Sequence, residues 1–133
     1  MTLSAADRLA ILEVITRADE AASRRDADVY VDLFTEDALL DGTQGRHAGR
    51  KALRAAVGPI WAAEGPATLH LTLNPVIEPG PSGDQAVARS VLLIIDPAAP
   101  PALRTAAAIT QELRRTEGSW LIARRTVAPA VPR

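Results

Sequence analysis

Near residue 67 the hydrophobic pattern of this chain changes period, from helical spacing to alternation. Between Ala5 and about Arg25, Leu9, Leu12, Ile15, Ala18 and Ala22 recur as on one helix face, and Ser4 with Asp7 forms a capping pair at its start. At 100° per residue, Ile11, Ile15, Ala18 and Ala22 lie near the centre of the apolar face, with Asp19 and Ser23 toward its edge. Asp26-Ala27-Asp28 interrupts that pattern and caps a second, short helix carrying Val29, Tyr30, Leu33 and Phe34. Ala38-Leu39-Leu40 reads as a short strand, followed by a loop marked by Gly42, Gly45 and Gly49. From Arg50 to about Ala63 the spacing of Leu53, Val57, Ile60 and Trp61 is helical again, and Gly58-Pro59 predicts a kink or break there.

The second half predicts strands near 67–78, 84–96, 103–116 and 119–128 in an antiparallel meander. The connections agree: Pro79-Gly80-Pro81-Ser82-Gly83 is a turn cluster, Asp96 to Pro101 a stiff loop, and Glu117-Gly118 a tight hairpin signal. The ending APAVPR is poorly suited to a sheet, so the expectation is one domain over residues 1–128 and a loose tail at 129–133. Helices first and strands second define an α+β fold, with the helices on one face of a sheet.

Within the first of these strands, ATLHLTLNPVIE, Leu69, Leu71 and Leu73 point one way and His70, Thr72 and Asn74 the other. Imidazole exchanges protons near neutral pH. The polar side of this strand therefore faces either water or a pocket in which His70 can act. The second strand, AVARSVLLIID, is continuously apolar from Val91 to Ile95, as expected for burial on both faces.

Composition narrows the functional classes. A chain of 133 residues can bury a core without disulfides or a structural metal, and none of its residues is cysteine. A formal net charge of −1 provides no field to attract nucleic acid or an anionic membrane, so neither is an expected partner. No basic region followed by an apolar run opens the sequence, and no apolar stretch reaches the length of a membrane span, so a cytoplasmic location is expected. There is no phosphate-cradling loop with a lysine, no metal-ligand spacing, no nucleophile elbow and no dinucleotide fingerprint. No cofactor and no metal are expected.

Taken together, DLFTEDALLDG (32–42), HAGRKAL (47–53), LHLTLN (69–74), GDQAVARS (83–90) and EGSWLIARR (117–125) resemble the SnoaL-like branch of the nuclear transport factor 2-like superfamily. The resemblance covers nearly the whole chain, in order. It implies a cone: a strongly bent, mainly antiparallel sheet wrapped on the N-terminal helices and enclosing a largely apolar pocket, with the opposite sheet face available for a homodimer. It also implies a small organic ligand and places His70 on the pocket wall.

The candidate residues follow. His70 is the candidate general acid or base, and Asp19 the carboxylate to orient it. Tyr30 and Trp61 are expected in the core and pocket wall, and Asn74 and Gln111 as polar ligand contacts. Relatives commonly carry a tyrosine and an aspartate where the first helix has Ala18 and Ser23, and a tyrosine with an ionisable group where the third strand has Ile109 and Gln111. Gln111 hydrogen-bonds but exchanges no proton near neutral pH, which favours binding over catalysis. Arg89 and Arg125 read as surface or interface charges, and His47 as exposed. Three readings stand: a cofactor-free lyase, isomerase or cyclase using His70, a non-catalytic ligand-binding or dimerisation module, and an adaptor that binds another protein through an exposed apolar patch.

Overall fold

A computed structural model describes residues 2–130. Its elements are α1 (Ala5–Arg24), α2 (Ala27–Asp32), β1 (Phe34–Gly42), β2 (Gly45–Ala48), α3 (Arg50–Glu64), β3 (Leu69–Pro79), β4 (Gln85–Asp96), β5 (Ala102–Thr116) and β6 (Ser119–Pro129). The six strands form one sheet in the order β2-β1-β6-β5-β4-β3. The meander β3-β4-β5-β6 is antiparallel throughout, and β1 joins β6 in parallel.

Local chemistry accounts for the boundaries. Ser4 and Asp7 form a reciprocal capping box at the start of α1. Asp7 also accepts from Trp120 Nε1 at 3.2 Å and Arg115 Nη1 at 2.7 Å, tying that helix start to β5 and β6. Asp26 caps α2 through the Val29 N–H. Glu117 and Gly118, both at positive φ, make the two-residue turn between β5 and β6 that matches strand twist.

Several expectations are corrected. The strongly bent cone is not observed: the sheet is open, with β2 and β3 as separate edges, and it neither curls strongly nor closes. Closure would need hydrogen bonds between those edges. Instead β2 is four residues long and pairs with β1 alone, and β3 pairs only with β4. The register shifts once in each of four strand pairs, β1–β6, β3–β4, β4–β5 and β5–β6. The predicted strand at 38–40 extends over Phe34–Gly42, so Phe34 belongs to β1, and the expected glycine loop forms β2. No break divides α3, which carries Pro59 inside it. Strand β6 continues through Pro129, where Ala107 pairs with it; residues 131–133 of the expected tail lie outside the described residues.

The helices cover one face of the sheet. Ile11, Ile15, Ala18 and Ala22 of α1, as their spacing predicts, are buried with Phe34, Leu53, Val57, Trp61, Leu113 and Ile122 in the main core. A smaller cluster of Leu92, Ile94, Ala107 and Ile109 lies further along the same inner face. The edge strand β3 is covered by α1: Ser23 Oγ accepts the His70 N–H at 2.9 Å, Asp19 Oδ2 accepts the Thr72 N–H at 2.8 Å, and Arg8 donates to the Ile77 carbonyl at 2.9 Å. Free strand-edge groups are thereby satisfied.

That docking settles the orientation of β3. His70 is buried, while Leu69, Leu71 and Leu73 are 44%, 36% and 38% exposed on the outer face. The leucines thus lack, within one chain, the packing expected for them.

The β3–β4 hairpin depends on close backbone approach at Gly80, whose N–H donates to the Gln85 carbonyl at 2.8 Å. A Cβ there would lie 2.8 Å from Gln85 Cβ and 3.1 Å from its carbonyl carbon. Gly80→Ala is therefore expected to cost about 1–3 kcal/mol. Gly58→Ala, inside α3 with open space around it, is expected to stabilise by about 0.5–1 kcal/mol. Urea unfolding of both variants checks the opposite signs.

Candidate functional site: a cavity between the sheet and α3

A cavity of about 300 Å³ lies between the inner sheet face and α3. Leu40, Leu92, Ile94 and Val127 line it from the sheet, and Val57 and Ile60 from the helix. The β1–β2 turn at Thr43-Gln44 and the end of β6 at Pro129 contribute to its rim. Tyr30 and Trp61, expected in the wall, are both there; their rings meet edge to face at 5.2 Å between centroids. This volume is at the lower end of the range for small-molecule sites.

Besides Tyr30, three ionisable side chains share that wall: His70, Glu64 and Arg125. Glu64 Oε1 lies 2.7 Å from His70 Nε2, accepts from Thr68 Oγ1 at 2.9 Å, and sits 3.6 Å from Arg25 Nη1. Burial pushes the Glu64 carboxyl up, but the hydrogen bond and charge of His70, helped by Thr68 and Arg25, outweigh it and hold the group below the usual glutamate range. Glu64 is therefore ionised at neutral pH and acts as acceptor. In the neutral ring the proton then resides on Nε2, and Nδ1 carries the lone pair. Nδ1 is buried and has no protein partner.

The sequence reading paired His70 with Asp19; the fold brings His70 to Glu64 instead. Glu64 was not singled out, although it lies six residues before His70 and directly before the Gly65-Pro66 helix end. Asp19 is buried, not solvated, and accepts from both the N–H and the hydroxyl of Thr72, at 2.8 and 3.0 Å. Burial pushes its carboxyl above the usual range, against the opposing charge of Arg125 and the Thr72 hydrogen bonds. Ser23 compensates in part for the missing first-helix aspartate, since its hydroxyl accepts the His70 N–H and donates to the Asp19 carbonyl.

The remaining candidates separate. Asn74 is exposed at the bulge in β3, with φ +56°, and does not reach the cavity lining. Gln111 is fully buried with both amide atoms unpartnered; it lies beside Arg125 across the β5–β6 ladder, on the same face but outside the lining. Arg89 is exposed and paired with Glu78, as a surface charge should be. Arg125 is 4% exposed and lines the cavity, contrary to its surface assignment. His47 is half-buried in β2, with Nε2 unpartnered, rather than exposed in a loop. Among the described residues no group of acidic, histidine or cysteine side chains could hold a metal, and no helix is long and apolar enough to cross a membrane.

The sequence profile of the SnoaL-like domain matches residues 4–126. The chain belongs to the SnoaL-like domain family. Solved structures agree with this SnoaL-like assignment. A protein of unknown function with a cystatin-like fold from Nostoc punctiforme superposes with a TM-score of 0.89 at 25% identity, over 99% of this chain and 98% of that one. A function-unknown protein from Mycobacterium tuberculosis gives 0.79 at 26% identity, over 90% and 69%. An NTF2-like protein from Novosphingobium aromaticivorans gives 0.79 at 25% identity, over 92% and 81%. No curated protein matches the sequence. The SnoaL-like fold thus supplies the scaffold, and function must be argued from the cavity.

The Thr72 bonds of Asp19 and its raised pKa predict different outcomes for two substitutions. Because its folded pKa is raised, its stability contribution is greatest below the unfolded carboxylate pKa and is lost as pH rises through the folded value. Asp19→Asn keeps groups able to bond both Thr72 atoms and is expected to match or exceed the wild-type melting temperature at pH 7, with the advantage shrinking toward pH 4. Asp19→Ala leaves the Thr72 N–H without its acceptor and is expected to cost about 1–3 kcal/mol. Thermal melts of both variants between pH 4 and 8 check this.

Proposed function

We propose that the cavity binds a small, mostly apolar organic molecule and that His70 transfers a proton there, in a cofactor-free reaction of the lyase, isomerase or cyclase kind. The observation that carries this reading is the 2.7 Å contact between Glu64 Oε1 and His70 Nε2 in the cavity wall, with the other ring nitrogen, Nδ1, buried and without a protein partner. An ionised carboxylate on one ring nitrogen fixes the tautomer and stabilises the imidazolium formed when the other takes a proton. The Ser23 hydrogen bond to the His70 N–H limits backbone movement beneath the ring. Apolar walls exclude water and strengthen these charge interactions. A carbonyl compound with an acidic C–H would suit this base.

A second reading, ligand binding without turnover, is favoured by Ile109 and Gln111, which leave the third strand of the meander with no proton-exchanging side chain at those positions. Deuterium incorporation from D₂O into 2-tetralone and cyclohexanone, followed by mass spectrometry, separates the two. The enzyme reading expects wild-type exchange to exceed that of His70→Ala by about 10²-fold or more, with Glu64→Gln between them. Equal exchange in wild type and His70→Ala, with all proteins folded, sinks it.

We also propose a homodimer formed through the outer face of β3 and β4. Leu69, Leu71, Leu73 and Val91 are exposed together on that face, next to the 60%-exposed Leu103 of β5. Apolar surface of this kind favours burial against a like surface. Sedimentation is expected to give a dimer for the wild type and a monomer for Leu71→Glu. A monomeric wild type at micromolar concentration would refute this assembly.

A further inference from the structure

The inner face holds more charge than proton transfer by His70 uses. Each carboxylate on this face has contacts of its own: Asp19 bonds Thr72, and Glu64 is held by His70, Thr68 and Arg25. Arg25 is committed in turn, donating to the carbonyls of Ala22, Trp61 and Gly65. Arg125 differs. It is 4% exposed, lines the cavity, and has a buried Nη1 with no hydrogen-bond partner. The Tyr30 ring, 5.9 Å from the guanidinium carbon, supports it from one side, a placement that orients the planar fork without satisfying its N–H donors.

From this we infer that the cavity is a carboxylate site: a small monoanionic acid with a flat apolar body binds with its carboxylate on Arg125 and its body against Trp61, Leu92 and Ile94. A buried guanidinium without a contact anion is costly, and a carboxylate matches its fork with two parallel charge-assisted hydrogen bonds. A single charge is the better fit. Among the described residues no carboxylate contacts Arg125, and a dianion such as a phosphate monoester would add a second negative charge facing Glu64. Gln111, next to Arg125 across the ladder and with both amide atoms unpartnered, places further polar groups behind the same end of the cavity. The inference rests on the cavity being the ligand site and is independent of whether His70 is a base.

Calorimetric titration with phenylacetate and its neutral isostere phenylacetamide at pH 7 tests it. The wild type is expected to bind the acid about tenfold or more tightly than the amide. Arg125→Met should abolish that preference by weakening the acid about tenfold more than the amide, and Arg125→Lys, which keeps the charge but not the fork, should retain part of it. If Arg125→Met does not fold, phenylacetate added to the wild type should still shift the side-chain nitrogen resonances of Arg125, which Arg125→Lys identifies by their absence. Equal affinity for acid and amide, acid preference surviving in Arg125→Met, or no saturable binding and no Arg125 shift at millimolar phenylacetate each overturns the proposal. The deuterium exchange above uses neutral ketones, so failure of the carboxylate site and failure of His70 catalysis are read separately.

Discussion

The arrangement of this protein depends on how the edge of β3 is satisfied. An uncovered strand edge exposes backbone donors and acceptors that pair with any other chain. Here Asp19 and Ser23, one helical turn apart on α1, accept the N–H groups of Thr72 and His70. Those two contacts set the strand beside the helix with a single register. A shift of one residue would exchange the faces of β3, placing the leucines inward and the imidazole in water. The inner cavity and the apolar outer patch are therefore two consequences of the same contact.

Once His70 faces inward, its surroundings determine its chemistry. The end of α3 brings Glu64 to one ring nitrogen, and Arg25, held to the same helix end through its carbonyls, offsets the charge of that carboxylate. Asp19 and Arg125 interact through space without direct contact, which moderates the cost of burying both. Apolar walls with a few convergent polar groups are characteristic of a ligand site.

The family resemblance and the alternating pattern of β3 were legible in local sequence, and so were the capping box, the hairpin at Glu117-Gly118 and the inward face of α1. The site was legible in part. Tyr30, Trp61 and His70 reach the cavity, whereas Asn74 is turned out by the bulge, and Gln111 is buried next to Arg125 rather than on the lining. Arg125 was assigned to the surface because arginine is seldom buried without a partner, a sound average that fails where a cavity replaces the partner. Ser23 read as the loss of a carboxylate, yet it holds the backbone of His70.

Periodicity, caps and turns are properties of neighbouring residues, so the chain by itself determined three helices, the four-strand meander, their order and which side chains share a face, whereas β2 and the full length of β1 depend on strand pairing. Which face is inside is decided by what packs against it, and that required α1 to meet β3 across about fifty residues of sequence. The same holds for charge. The partner of His70, the burial of Asp19 and the unpaired state of Arg125 depend on distances between elements, which burial and backbone geometry set and local sequence does not encode.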